Sequence, residues 1–197
     1  MDRDAGRPAP LVEDDTLRDF LRRVSSDPDL ELEWIDLLSQ LEYVGCRKIV
    51  KGVAFENVSL DILRHVSEES SHAFLLKSVV EEGGVRGRSW KEGRFAEAGW
   101  GYFQRLDHAI SALPASESLR YPGVSWAIER RVLVVYPAYL KVTRNEALQR
   151  ALRRILAQEE RHGEQFDAVV FPDGYPAAVA EIEDRLWAGF LAGVTPR

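Results

Sequence analysis

The chain has 197 residues, of which 45% are hydrophobic, and its formal net charge at pH 7 is −6. That length favours one domain with a sizeable buried core over two domains. Acidic and basic residues are interspersed along the sequence, which argues against a nucleic-acid partner without excluding one. No stretch of apolar residues reaches the length that crosses a bilayer, so we expect no membrane segment.

The N-terminal segment is acidic, contains prolines and lacks an apolar signal sequence. We therefore predict a flexible arm over residues 1–13, followed by a single helical domain over residues 14–197. Cys46 is the only cysteine, so an internal disulfide is impossible. Together with the absence of export features, this favours a reducing, cytoplasmic location.

Helical periodicity dominates the sequence, and signals for β-hairpins are nearly absent, which predicts an all-α fold. The predicted helices, in chain order, cover residues 16–25, 28–55, 60–82, 96–113, 119–143, 146–169 and 177–193. Pro28 is acceptable in the first turn of its helix, and Gly83 and Gly84 end the next one. Asn145 is a candidate cap, and Pro137 should kink its helix or remove one backbone hydrogen bond.

One pattern occurs twice along these helices. Glu42 precedes the motif Glu69-Ser-Ser-His72 on the next helix, and Glu129 precedes Glu159-Glu-Arg-His162 in the same way. In each helix pair, both glutamates lie about 12–16 residues from the connecting turn, or about 20 Å at 1.5 Å per residue. An antiparallel pair therefore brings them to one height, and residues three apart share a helix face. Six side chains are predicted to converge.

Burial of these carboxylates requires compensation. Glu42 and Glu129 project from largely apolar helix faces, where an unpaired carboxylate costs several kcal/mol or takes up a proton. Two divalent cations balance four carboxylates, while neutral imidazoles complete the coordination. Carboxylate and imidazole ligands suit iron or manganese, and no cysteine pattern favours zinc. A single Glu-x-x-His motif on a helix is usually a pair of solvated side chains. Two such motifs, each preceded by a glutamate at a matched height on the neighbouring helix, are not expected by chance. We predict that two iron ions, or manganese or a mixed pair, bind to Glu42, Glu69, His72, Glu129, Glu159 and His162.

The ligand pattern resembles that of the ferritin-like di-iron carboxylate superfamily, which includes rubrerythrins, bacterioferritins and di-iron oxidases and oxygenases. The resemblance covers roughly residues 30–169 and rests on the six positions. It implies a ferritin-like four-helix bundle in which Glu69 and Glu159 bridge the metals and the imidazoles are terminal ligands. It also requires a long crossover, for which residues 83–118 are available. This long helical crossover and the extra terminal helices argue against a storage cage without excluding one.

The resemblance also suggests residues around the ligands. In the superfamily an acidic residue before each motif glutamate often holds the opposite histidine. Glu68 fits that role, whereas Gln158 is not acidic and should tune its histidine less; either is equally acceptable as a surface residue. His65 is a candidate outer-shell ligand. Tyr136 can border a substrate channel, although core packing is the simpler interpretation.

These residues favour a di-iron oxidoreductase, either an oxidase or oxygenase or a peroxidase, with no catalytic residue beyond the ligands. Its partners would be dioxygen or peroxide, an unidentified small-molecule substrate and a separate electron donor, because no Cys-x-x-Cys pair provides a rubredoxin-type domain. A homodimer is left open. The alternatives are a ferritin-like iron-storage protein and a metal-free helical interaction module.

Overall fold

The computed structural model describes Pro8 and residues 10–115, 117–167 and 169–195, without the side chains of residues 165–167. Most of the predicted N-terminal arm, residues 1–7 and 9, lies outside this description. The described residues form seven α-helices and three 3-10 turns, and contain no strand: α1 (Asp15–Ser25), α2 (Pro28–Gly52), α3 (Leu60–Glu82), α4 (Ala96–Ser111), α5 (Arg120–Val142), α6 (Glu146–Asp167) and α7 (Tyr175–Val194). The all-α prediction is confirmed.

Several helix ends differ from the predicted ones. The second helix ends at Gly52 rather than Phe55, because Phe55–Asn57 turn the chain as a short 3-10 segment. The fourth helix ends at Ser111, two residues early. The last helix begins at Tyr175, since Pro176 is accommodated in its first turn.

Side-chain caps fix where the bundle helices begin. The Asp27 carboxylate accepts hydrogen bonds from the backbone N–H groups of Asp29 (3.0 Å) and Leu30 (3.2 Å). Asn145 caps α6 as predicted, with its Oδ1 accepting from the N–H of Leu148 at 3.1 Å. These bonds satisfy backbone donors that have no partner within the helix.

Helices α2, α3, α5 and α6 form the central bundle. Short connections join α2 to α3 and α5 to α6, and the members of each hairpin pack against each other. The two hairpins then meet through contacts of α3 with α6 and of α2 with α5. Helix α1 covers α2 and α5, whereas α4 lies in the crossover and packs on α2, α5 and α7.

The crossover helix approaches α2 closely at Gly99. A Cβ atom at this position would lie 2.3 Å from Cδ1 of Leu37, nearer than real side chains approach each other. Before α4, the guanidinium of Arg88 contacts the buried Asp36 of α2 at 3.0 Å, and Lys77 of α3 contacts the same carboxylate at 2.6 Å. The crossover is thereby held against the first hairpin.

A buried ion pair attaches the last helix. Glu183 of α7 is fully buried and accepts two hydrogen bonds from Arg131 of α5, at 2.9 and 2.7 Å, and one from the hydroxyl of Tyr102 of α4, at 2.7 Å. The bidentate geometry satisfies both carboxylate oxygens. Within the described part of the chain, no helix combines the length and apolar character that crossing a membrane requires.

Candidate metal centre

The structure brings all six predicted side chains together inside the bundle. One glutamate comes from each of α2, α3, α5 and α6, and α3 and α6 each add a histidine. None of these residues is more than 7% exposed. The residues are Glu42, Glu69, His72, Glu129, Glu159 and His162. The matched distances from the turns thus place the four glutamates in one layer of the core.

Two overlapping groups of donor atoms result. Glu42, Glu69, His72 and Glu159 form the first group, and His65, Glu69, Glu129 and His162 form the second. Within each group the ligand atoms all lie within 4.8 Å of one another. Glu69 belongs to both groups, so a carboxylate stands between two buried sets of oxygen and nitrogen donors. Each set can hold a metal ion.

Glu69 occupies the centre of this arrangement. Its Oε1 lies 3.5 Å from Nε2 of His65, 3.6 Å from Nδ1 of His162 and 3.7 Å from Nδ1 of His72. These separations exceed those of ordinary hydrogen bonds, and this buried oxygen has no hydrogen-bond partner. Three imidazoles therefore surround a carboxylate oxygen without satisfying it.

Glu159 extends across both donor groups. Its Oε1 lies 3.1 Å from Nδ1 of His72, while its Oε2 is 2.8 Å from Nδ1 of His162. Nδ1 of His72 nevertheless has no partner in hydrogen-bonding geometry, and Oε2 of Glu129 is likewise unpartnered. Each such buried atom costs about 1–3 kcal/mol when left unsatisfied. Cations between the carboxylates would supply the missing partners, so the donor set fits a pair of metal ions.

The electrostatics of the buried carboxylates and imidazoles also fits a pair of metal ions. Burial, followed by the charge of Glu159, raises the pKa of Glu69 and of Glu129 well above the ordinary value. Burial alone would lower the pKa of His72, but the adjacent carboxylates of Glu159 and Glu42 outweigh this effect and raise that pKa to about 11. Without cations, protons therefore balance the clustered carboxylates.

The outward-facing nitrogens of both predicted histidines have polar partners. Nε2 of His72 lies 2.9 Å from Oε1 of Gln158, and Nε2 of His162 lies 2.8 Å from Oε2 of Glu68. Glu68 also accepts a 2.6 Å hydrogen bond from Arg161. These are the contacts that the superfamily resemblance suggested. In a neutral imidazole they place the proton on Nε2 and leave Nδ1 directed at the carboxylates.

Two tyrosines contact the site. Sequence patterns favoured core packing for Tyr136 and gave no indication of Tyr121. Tyr136 is fully buried in the core, yet its hydroxyl also donates a short hydrogen bond to Glu42. Tyr136 lies two turns after Glu129 on α5, and this spacing was the available signal. The hydroxyl of Tyr121 lies 3.2 Å from Nδ1 of His65, a contact between helices that no local spacing indicates.

Two cavities reach the centre. A cleft of about 400 Å³ opens to solvent, with His65, Glu69 and Glu129 among its lining residues and Ile49 and Ile128 on its walls. A smaller pocket of about 60 Å³ is mostly apolar and is lined by Glu42 and Glu69 together with six or more hydrophobic residues, among them Leu38, Phe103, Val135 and Trp187.

Gly45 of α2 lines both cavities. A Cβ atom at this position would lie 3.0 Å from Oε2 of Glu69. The absence of a side chain here gives the central carboxylate room to move.

The fold and the site together define a class: an all-helical bundle with a buried centre of glutamates and histidines that can hold metal ions. Comparisons of the chain with protein-family models, with curated proteins and with solved structures give no match. The resemblance to the ferritin-like superfamily therefore rests on the ligand pattern and on the helical architecture.

Proposed function

We propose that this protein is a di-iron oxidoreductase that activates dioxygen or peroxide. The observation that carries the proposal is the pair of overlapping buried donor groups that share Glu69. Four carboxylates with imidazoles form a donor set suited to two divalent ions of iron or manganese. Such a cluster is costly inside a protein without cations, because burial and mutual repulsion both oppose ionisation of the carboxylates.

The six predicted side chains divide naturally between two ions. Glu42 and His72 would serve one ion, Glu129 and His162 the other, and the carboxylates of Glu69 and Glu159 would span both. When bound, a ferrous pair supplies the electrons and the Lewis acidity for reduction of dioxygen or peroxide.

The surrounding residues hold the ligands in place. Glu68 and Gln158 orient the two imidazoles through their outer nitrogens. The Tyr136 hydroxyl donates to Glu42 and keeps a proton beside the centre, because burial and the neighbouring carboxylate raise the pKa of this tyrosine. Such partners fix ligand orientation and tune ligand basicity.

The two cavities suggest separate routes to the centre. The open cleft has the volume of a small-molecule site and would admit an organic substrate. The small apolar pocket beside Glu42 and Glu69 is large enough for a diatomic molecule and has few polar groups to hold water. A separate reductant would supply electrons for repeated turnover.

Anaerobic reconstitution with ferrous iron tests the proposal. We expect about two irons per chain and a visible absorption band that develops only after oxygen is admitted. Glu159→Ala should abolish this uptake, whereas Glu160→Ala should not, because Glu160 is the exposed neighbour on the same helix. A folded wild-type protein that takes up no iron would end the proposal. Assembly into a large shell on size-exclusion chromatography would favour iron storage instead.

A further inference from the structure

We propose that His65 is a third imidazole ligand and that the ion it binds is the one exposed to the cleft. This inference rests on the proposed dinuclear centre and adds a seventh residue to it. The two ion sites would then differ in their ligands: one would have two imidazoles and the other only one.

The position of His65 supports ligation. The residue is 5% exposed, and its Nε2 lies 3.5 Å from Oε1 of Glu69 and 3.6 Å from Oε1 of Glu129. Both distances are longer than an ordinary hydrogen bond, as expected when donors converge on a common point. His65 also lies one helical turn before Glu69, so both side chains project from the same face of α3. Its ring centroid is 4.2 Å from that of His162.

His65 also shares the orientation of the two sequence-predicted ligands. Each of those histidines directs one nitrogen at the carboxylates, while its other nitrogen contacts a polar side chain outside the cluster. His65 does the same, with Nε2 facing inward and Nδ1 lying 3.2 Å from the hydroxyl of Tyr121. Metal-bound histidines commonly have this two-sided arrangement.

Exposure to the cleft distinguishes the two ion sites. His65, Glu69 and Glu129 line the cleft, whereas from the other donor group only Glu69 does so. An ion bound by His65 would therefore be accessible to small molecules in the cleft, whereas the ion beside His72 would face the smaller apolar pocket through Glu42.

Metal titration with cobalt(II), which is stable to air oxidation in such sites, tests the role of His65. Wild-type protein should retain two ions per chain, measured by elemental analysis after passage over a chelating resin. His65→Ala should retain about one ion per chain. Loss of a residue that orients a ligand from outside lowers metal affinity by up to about 100-fold, so loss of a direct ligand should lower the affinity for one ion by at least that factor. The matched control is His108→Ala on the surface of α4, which should retain two.

Added imidazole provides a second, site-specific readout. Since His65 lines the open cleft, imidazole should enter the space left by His65→Ala and restore retention of the second ion. His72 is completely buried and does not line the cleft, so His72→Ala should not be restored. Free imidazole competes for cobalt in solution, so increased retention reports binding within the protein.

The outcomes separate this inference from the proposed function. Two ions in wild-type protein with unchanged affinity in His65→Ala would overturn the role of His65 and leave the dinuclear centre intact. No ions in folded wild-type protein would overturn both. If His65→Ala fails to fold, His65→Gln must show the same loss. Finally, wild-type protein carrying cobalt should show the large through-bond contact shifts of ligated imidazoles for three histidines by NMR; such shifts for only two would overturn the inference without any variant.

Discussion

Metal binding should release protons, and the affinity should therefore rise with pH. The pKa of His72 is raised to about 11, so this imidazole is protonated at pH 7 in the metal-free protein. The pKa values of Glu69 and Glu129 are also raised well above the ordinary value. Ligands bind metal only after deprotonation. Because the metal-free state holds protons that the loaded state lacks, raising the pH favours the loaded state.

The magnitude follows from the number of protons displaced. Each proton released changes the binding constant about tenfold per pH unit, equivalent to about 1.4 kcal/mol. His72 contributes one proton, and the two glutamates with raised pKa values contribute up to two more. If about two protons are released, the metal-binding constant should fall about 100-fold between pH 7 and pH 6.

Isothermal titration calorimetry with cobalt(II) measures this effect directly. The apparent enthalpy in buffers with different ionisation enthalpies gives the number of protons released, and titrations between pH 6 and pH 8 give the slope of the affinity. Glu160→Gln removes an exposed carboxylate beside the centre and should leave both quantities unchanged. Equal affinity at pH 6 and pH 8, with no proton release, would refute the assignment of protons to the buried cluster.

Three substitutions test other parts of the structure. Gly45→Ala should stabilise α2 by up to about 1 kcal/mol in thermal unfolding, yet weaken metal binding, because its Cβ would press on the carboxylate of Glu69. Tyr136→Phe should lower metal affinity about 10- to 100-fold in a chelator competition, because it removes the hydroxyl that holds a ligand carboxylate. Glu183→Ala should cost about 3–5 kcal/mol in urea denaturation of the metal-free protein, because it leaves Arg131 buried without its main partner.

Matched variants separate these effects from general damage. Gly189→Ala places a Cβ where no atom lies within 4 Å, and Tyr43→Phe changes a half-exposed tyrosine away from the centre. Glu181→Ala removes an exposed glutamate from α7. Each should behave like the wild type. The reasoning fails if Gly45→Ala binds metal normally, if Tyr136→Phe matches Tyr43→Phe, or if Glu183→Ala is no less stable than Glu181→Ala.

The convergence of the six glutamates and histidines could be predicted from the sequence because it depends on local helix geometry. A fixed rise per residue sets the heights of Glu42 and Glu69 above their turn, and the three-residue spacing places His72 on the same face as Glu69. Capping by Asn145 was likewise predictable, because the cap and the backbone N–H of Leu148 that donates to it are close in sequence. Some helix ends were predicted wrongly because local signals for helix termination are weak. The second helix, for example, was predicted to end at Phe55 but ends at Gly52.

Other features depend on how the helices rotate and cross, which sequence spacing does not determine. The contact of His65 with Tyr121 joins α3 to α5, and the buried pair of Arg131 with Glu183 joins α5 to α7. The cleft is lined by residues of α2, α3, α4 and α5, so no single segment of sequence carries its signal. These features need tertiary structure.

The repeated ligand pattern does not produce two equivalent halves. The imidazole of His72 has the neutral amide of Gln158 as its outer partner, whereas that of His162 has the carboxylate of Glu68, which also accepts a hydrogen bond from Arg161. A carboxylate partner makes an imidazole a stronger electron donor than an amide does. The donor group that contains His162 also contains His65, and it faces the cleft through His65, Glu69 and Glu129. Ligand basicity and access to the cleft therefore differ in the same direction, so under the proposed function a substrate in the cleft would meet the ion held by the donor group of His65 and His162.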